Sequence, residues 1–312
     1  MHEDLGLCHL NLMTLPGGAA FVFGRPVVSV LLWRWEVMTM TSYRAAAREA
    51  ELYCAQCREY DSPRLASETF PEGVVCETDI AYIDDGSKYH LLDIYYPSED
   101  RGSKEAYLLF HGGAFVYGNK ELDKNFGMRL ALSANIPVVS INYTLLPDGT
   151  MSTIIDDIKA AKAFAEKNYG FTGFHYTGDS AGGALAVLSA IMFGDALSVS
   201  PICGCYTIRS DEFPGVLFAG EEKDAKMPPY IYDLKAEADK LQDIDVAIIT
   251  GDEDFLRDDN VALSKLLPNA VFYDAVSTED RKMTHVFPIG NPTWPEGART
   301  IGIISSFARK SC

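Results

Sequence analysis

The stretch Gly178-Asp179-Ser180-Ala181-Gly182-Gly183 sets a serine among small residues at the point where one apolar run gives way to another. Phe174-His175-Tyr176-Thr177 before it reads as a short strand. Ala181 to Phe193, nearly all apolar or small, reads as a buried helix. A strand-to-helix turn this sharp strains its central residue, and Gly178 and Gly182 leave room for it because a Cβ at either position would meet the neighbouring backbone. The Ser180 hydroxyl then projects from the turn above a helix N-terminus, where developing negative charge is favoured. Alone, G-x-S-x-G often arises by chance. Its surroundings give it weight.

Upstream, His111-Gly112-Gly113-Ala114-Phe115 follows the apolar run Ala106-Tyr107-Leu108-Leu109-Phe110, which reads as a buried strand. Acyl transfer through a tetrahedral intermediate needs donors aimed at the oxyanion, each worth about 3–4 kcal/mol. The N–H groups of Gly112 and Gly113 supply two, and that of Ala181, after the serine, a third. The plain alternative is a glycine-rich turn without chemistry. His111, beside that turn, suits a structural hydrogen bond better than proton transfer.

For a base the chain offers His2, His9, His90, His175 and His285. Only His285 falls in a late loop, Met283-Thr284-His285-Val286-Phe287, after the strand-like residues 270–276. His90 begins a strand and His175 lies within one, so both read as packed or surface residues. The acid should follow another strand, and Val246-Ala247-Ile248-Ile249-Thr250-Gly251 leads into carboxylates at Asp252, Glu253, Asp254, Asp258 and Asp259. A carboxylate there would hold the imidazole tautomer and stabilise the imidazolium. Composition does not choose among them, and most read as a solvated acidic loop.

The order serine, acid, histidine matches that of the α/β-hydrolases. More narrowly, the chain resembles the bacterial hormone-sensitive-lipase-like carboxylesterases through HGGAF at 111–115, GDSAGG at 178–183 and DFL at 254–256. Asn142-Tyr143-Thr144-Leu145-Leu146-Pro147 stands as the counterpart of that family's D-Y-R-L-A-P segment. The similarity runs from about Leu91 to the C-terminus. It implies Asp254 as the acid, with Asp252 the main rival, and hydrolysis of small to medium neutral carboxylic esters through an acyl-enzyme, without cofactor or metal. Three positions depart from the family pattern: Ala114 replaces the third glycine, Phe255 the proline of the acid motif, and Thr144 the arginine. None removes a catalytic group. The short separation of Ser180 from Asp254 implies a reduced cap, which keeps acetylesterases, arylformamidase-like amidases and peptidase-like enzymes of the same fold as alternatives. A non-catalytic ligand-binding homologue, as in the plant gibberellin receptor, is a further one.

Strands are predicted near 74–83, 89–96, 105–110, 137–143, 173–177, 245–250 and 270–276. Helices are predicted at about 121–135, 152–168, 181–193, 232–241, 259–266 and 297–310. Such alternation gives an α/β class with a mostly parallel twisted sheet, helices on both faces and antiparallel early strands. Ligands then bind beyond the carboxyl ends of the strands, where the singled-out segments lie. Ser42 to Tyr60 reads as an amphipathic helix capped by Ser42, with Pro63 and Pro71 in the loop after it. Between Gly194 and Leu241 the pattern weakens around Pro201, Pro214, Pro228 and Pro229, interleaved with Phe213, Phe218, Tyr230 and Tyr232. Pieces at about 41–72 and 195–240 are therefore expected to form a small cap, although an ordinary connection explains the second piece equally well. Phe115, Tyr117, Tyr143 and Phe287 flank the catalytic segments and are candidate substrate contacts, residue types that are otherwise core.

At 312 residues and 47% hydrophobic content, the chain can bury one large core. A net charge of −17, from 44 acidic against 27 basic residues, argues against nucleic acid and disfavours anionic membranes. A neutral small-molecule ester fits best, and nothing bears on oligomeric state. The seven cysteines form no even framework, which points to a reducing cytoplasm. Cys54-Ala55-Gln56-Cys57 and Cys203-Gly204-Cys205 lack the histidines and knuckle context of a zinc site. Residues 1–40 open with His2-Glu3-Asp4, and Arg25 and Pro26 break their apolar pieces, so they fit neither a spanning helix nor a secretory leader. They are expected to be a poorly ordered extension ahead of a catalytic domain at 41–312, with Met38 or Met40 the natural start.

Overall fold

The computed structural model describes residues 43–98, 102–220 and 227–308. The expectations for residues 1–40 and for the Ser42 cap lie outside the described residues.

The strands are β1 (Val75–Ala81), β2 (Leu91–Tyr96), β3 (Glu105–Phe110), β4 (Val138–Ile141), β5 (Gly173–Asp179), β6 (Ala196–Ile202), β7 (Asp245–Gly251) and β8 (Val271–Ala275). They form one sheet in the order β1-β2-β4-β3-β5-β6-β7-β8. β2 pairs antiparallel with β1 and β4, and every later pairing is parallel. The helices are α1 (Tyr43–Ser67), α2 (Lys124–Ala134), α3 (Met151–Tyr169), α4 (Ala181–Phe193), α5 (Arg257–Leu266), the single turn α6 (Phe287–Gly290) and α7 (Pro295–Ala308).

Period-two alternation divides the core between the two faces of the sheet. Leu108 and Phe110 of β3 join the cluster that holds the buried residues of α3 and α4. Tyr107 and Leu109 point the other way, toward α2 and α7, where the Tyr107 hydroxyl donates to Ile304 O at 2.7 Å. A parallel strand covered on both faces must read as a continuous apolar run, which is how residues 106–110 read. α4 is buried from Ala181 to Ile191, so its sequence has no polar stripe. α3 begins in a reciprocal capping box between Thr150 and Thr153 and ends on a left-handed Gly170.

Register aligns the exits. Phe110 pairs with Gly178, Asp179 with Ile202, and Ile202 with Ile249. The loops after β3, β5, β6 and β7 therefore leave the sheet at one edge.

The expected architecture holds, with differences of detail. Residues 196–202, placed by sequence pattern in a cap piece at 195–240, form β6 inside the sheet. Their alternating serines and Pro201 hide an apolar strand pattern. Ser198 and Ser200 are nevertheless fully buried, and Ser198 Oγ lies 2.8 Å from His175 Nδ1. Beyond Ile202 the chain is irregular, with 3₁₀ turns at Gly215–Leu217, Pro229–Tyr232 and Leu234–Leu241 in place of the helix expected at 232–241. α1 continues past Tyr60 with Pro63 inside it. Arg64 ties its last turns down by donating to Asp61 Oδ1 and Glu68 Oε1, and to Leu122 O at 3.3 Å. Earlier in α1, the Cys54 thiol donates to Val116 O at 3.1 Å, and the Tyr53 ring lies 6.0 Å from that of Phe213.

Candidate active site

Ser180 sits between the end of β5 and the start of α4 with φ 51° and ψ −115°, a conformation costly for a residue carrying a Cβ. Its surroundings over-determine it. The Ser180 N–H donates to Ile202 O at 2.8 Å, and its carbonyl accepts from Ala184 N at 3.1 Å. A Cβ on Gly178 would stand 2.6 Å from Gly182 O, and one on Gly182 would overlap the Phe110 carbonyl, so neither position tolerates a side chain. The hydroxyl is thereby aimed at His285.

Ser180 Oγ lies 2.9 Å from His285 Nε2, and His285 Nδ1 lies 2.8 Å from Asp254 Oδ1. Because Oδ1 can only accept, the imidazole carries its proton on Nδ1 and presents Nε2 as an acceptor to the serine. Asp254 also accepts from Leu256 N at 3.0 Å and from the Thr250 hydroxyl at 2.8 Å. Burial pushes its carboxyl up, but the hydrogen bond and charge of His285, with the Leu256 and Thr250 donors, hold it below the usual carboxylate range. It stays ionised at neutral pH. Among the rival carboxylates, Asp252 instead accepts from Ser277 N and Oγ, Glu253 pairs with Lys282 at 3.2 Å, and Asp259 holds Tyr206 N and Thr207 N.

The turn after β3 runs through three residues at positive φ: Gly113 (108°), Ala114 (53°) and Phe115 (63°). It closes on Gly113 O, which accepts from Val116 N at 3.0 Å and Tyr117 N at 2.9 Å. Ala181 opens α4, where an N–H has no acceptor within its own helix. Gly112 differs from the other two expected donors. The Asp179 carboxylate packs against it, so a Cβ at 112 would collide with Oδ2.

His111 has no part in proton transfer. Burial pushes its imidazole down to about 4, so it is neutral at ordinary pH. It stacks on Tyr143 with ring centroids 4.3 Å apart and planes 9° apart, and its Nδ1–H donates to Gly112 O at 2.8 Å. The Tyr143 hydroxyl donates back to His111 O at 2.8 Å. His175 and His90 are held elsewhere, His90 between Asp85 and Asp157. His2 and His9 lie outside the described residues.

The candidate substrate contacts differ in burial. Tyr143 is fully buried, and its hydroxyl is committed to His111 O beside the turn after β3. Phe115 is buried edge-on to Phe218, with centroids 5.1 Å apart. Phe287 is buried among the residues between the sheet and α7. Tyr117 alone of the four stays partly exposed.

Two supporting residues escaped sequence reading. Thr250 steadies the acid, and its only signal is a hydroxyl four positions before Asp254 at the end of a strand. Asp123, buried before α2, interacts with the Asp179 carboxyl, and nothing in the sequence joins them. Burial, then the charge of Asp179, push Asp123 well above the carboxylate range, and burial raises the Asp179 carboxyl too. Among the described residues, Cys203, Asp254 and His285 place potential metal-ligand atoms within 4.8 Å of one another. The carboxylate and imidazole already bond each other, and burial keeps the Cys203 thiol protonated, so a cation there would compete with the serine-linked chain.

Residues 107–209 match the sequence profile of a family described by its alpha/beta hydrolase fold. The chain is also similar to several solved structures. Esterase B from Lactobacillus rhamnosis, inhibited by a C4-C4 SN3 tributyrin phosphonate, is 23% identical over 87% of this chain and 98% of its own, with a TM-score of 0.72. A thermophilic carboxylesterase cloned from a metagenomic library is 20% identical over 84% of this chain and 97% of its own, with a TM-score of 0.64. An esterase of the bacterial hormone-sensitive lipase family is 18% identical over 91% and 96%, also with a TM-score of 0.64.

Proposed function

We propose that this α/β-hydrolase is a serine carboxylesterase of the hormone-sensitive-lipase-like kind, acting on small to medium neutral carboxylic esters. The observation that carries the reading is the unbroken pair of hydrogen bonds from Ser180 Oγ through His285 to Asp254, at 2.9 and 2.8 Å. Similar solved structures that are esterases support it, one of them inhibited by a tributyrin phosphonate. A cytoplasmic location goes with the cysteine usage, and no helix among the described residues is long and apolar enough to cross a membrane.

The reaction runs in two halves. Ser180 Oγ attacks the ester carbonyl carbon as its proton passes to His285 Nε2, and the carbonyl π pair moves onto oxygen. The N–H groups of Gly112, Gly113 and Ala181 receive that oxyanion. Asp254 balances the imidazolium. As the oxyanion collapses, the bond to the alkoxy oxygen breaks and His285 Nε2–H protonates the leaving alcohol. Water, giving its proton to the same nitrogen, then attacks the acyl-enzyme, and the proton returns to Ser180 as the acid leaves.

The test is turnover of short-chain p-nitrophenyl esters. Ser180→Ala is expected to lower kcat by about 10⁵-fold or more with folding intact, on the scale seen when a triad nucleophile is removed. Undiminished turnover in that variant would sink the proposal.

A further inference from the structure

Phe255 stands where the resembling family carries proline, and its ring lies against the imidazole of His285, with centroids 4.2 Å apart and planes tilted by 42°. It is a large apolar side chain left 37% exposed, so burial in a core does not explain its position. The backbone does. Asp254 N donates to Gly251 O at 3.1 Å, and Arg257 N donates to Asp254 O at 3.1 Å. Asp254 Oδ1 accepts from Leu256 N at 3.0 Å while also receiving Nδ1–H of His285. Hydrogen bonds thus close the turn on both sides of residue 255, and one carboxylate holds both the imidazole and the backbone that carries the ring.

We propose that Phe255 is a positioning residue for ester hydrolysis, limiting the tilt of the His285 ring and stabilising the imidazolium that forms as Ser180 loses its proton. This rests on the serine esterase reading. An aromatic ring attracts a cation near it, more strongly where water is partly excluded, and the His285 side chain is only 18% exposed. The imidazole is a cation in the transition state and neutral before it, so the contact favours the transition state over bound substrate and acts on kcat more than KM. Among the described residues, the other titratable groups facing the imidazole are Asp254 after β7, Asp179 at the end of β5 and Cys203 after β6. All three remain in place when residue 255 changes.

The experiment compares wild type with Phe255→Leu, Phe255→Met and Phe255→Trp on a short-chain p-nitrophenyl ester from about pH 5 to 9, with thermal unfolding of each variant as a control. Phe255→Leu is expected to lower kcat about five-fold, about 1 kcal/mol of barrier, with KM changed less than about two-fold. The acid limb of kcat/KM is expected to move to lower pH, and Phe255→Trp to restore both kcat and the limb. Phe255→Met, equally apolar and flexible, should behave like leucine and takes its place if leucine fails to fold. Unchanged kcat and an unmoved limb in the folded aliphatic variants would overturn the inference, as would a Trp variant no better than they are. Absence of Ser180-dependent hydrolysis in the wild type would instead overturn the esterase reading, so the two failures are distinct.

Discussion

Asp254→Asn separates the charge of the acid from its shape. In the wild type the carboxylate accepts the His285 Nδ1–H at 2.8 Å, the Leu256 N–H at 3.0 Å and the Thr250 hydroxyl at 2.8 Å. An asparagine can keep all three positions, its oxygen facing His285 and Leu256 and its NH₂ facing Thr250 Oγ1, whose hydroxyl turns to accept. Geometry then survives while the counter-charge to the imidazolium is lost. Charge centres about 4 Å apart interact by about 4 kcal/mol at an effective dielectric of about 20, which corresponds to about a 10³-fold loss in kcat. If the amide turns over, its NH₂ would face Nδ1 and force the wrong tautomer, raising the loss toward about 10⁴-fold. KM should change little, because the acid does not touch substrate. The assay is steady-state hydrolysis of a short-chain p-nitrophenyl ester near pH 8, with unfolding monitored in parallel. A folded Asp254→Asn enzyme within ten-fold of wild-type kcat would refute the assignment of this charge to the reaction.

Gly182→Ala should damage the fold as well as the site. Its new methyl would overlap the Phe110 carbonyl, and overpacking against backbone costs about 1–3 kcal/mol or more, visible as a lower denaturation midpoint. Wild-type stability there would mean that the elbow is looser than these contacts imply. The Asp123–Asp179 pair gives a prediction of opposite sign to an ordinary carboxylate. Its folded pKa is raised by burial and by the neighbouring acid, so the folded protein holds a proton that the unfolded chain gives up near the ordinary carboxylate range. Its contribution is fully present below that range and declines as pH rises toward the raised value. Asp123→Asn, which keeps a hydrogen-bond donor but cannot ionise, is expected to flatten that decline in a stability-versus-pH series. A decline identical to that of wild type would show that the proton does not reside there.

Much of the fold was legible because its parallel strands are covered on both faces and must therefore be apolar throughout, as residues 106–110 and 246–249 are. β6 was not legible. Its buried serines and Pro201 break the apolar run, and neighbours distant in the chain satisfy them, His175 for Ser198 among them. α1 runs past its expected end with Pro63 inside it, and Arg64 in its last turns hydrogen-bonds Asp61, Glu68 and Leu122 O. Ser180, the glycine turn and His285 stood out from local context, whereas the choice among five carboxylates needed resemblance. Phe115, Tyr143 and Phe287 pack inward, a placement the sequence does not show because it does not tell an aromatic beside a cavity from one behind it.

By itself, the sequence determined the alternation of strand and helix, the strained turn around Ser180 and the reactive groups available, because these depend on periodicity and on steric demands within a few residues. Only the tertiary structure decided which carboxylate meets His285, that Asp123 lies against Asp179, and that the Phe255 ring rests on the imidazole. Those pairings depend on strand register and on loops leaving one edge of the sheet. The distances that matter to proton transfer are therefore set between segments that no local pattern connects.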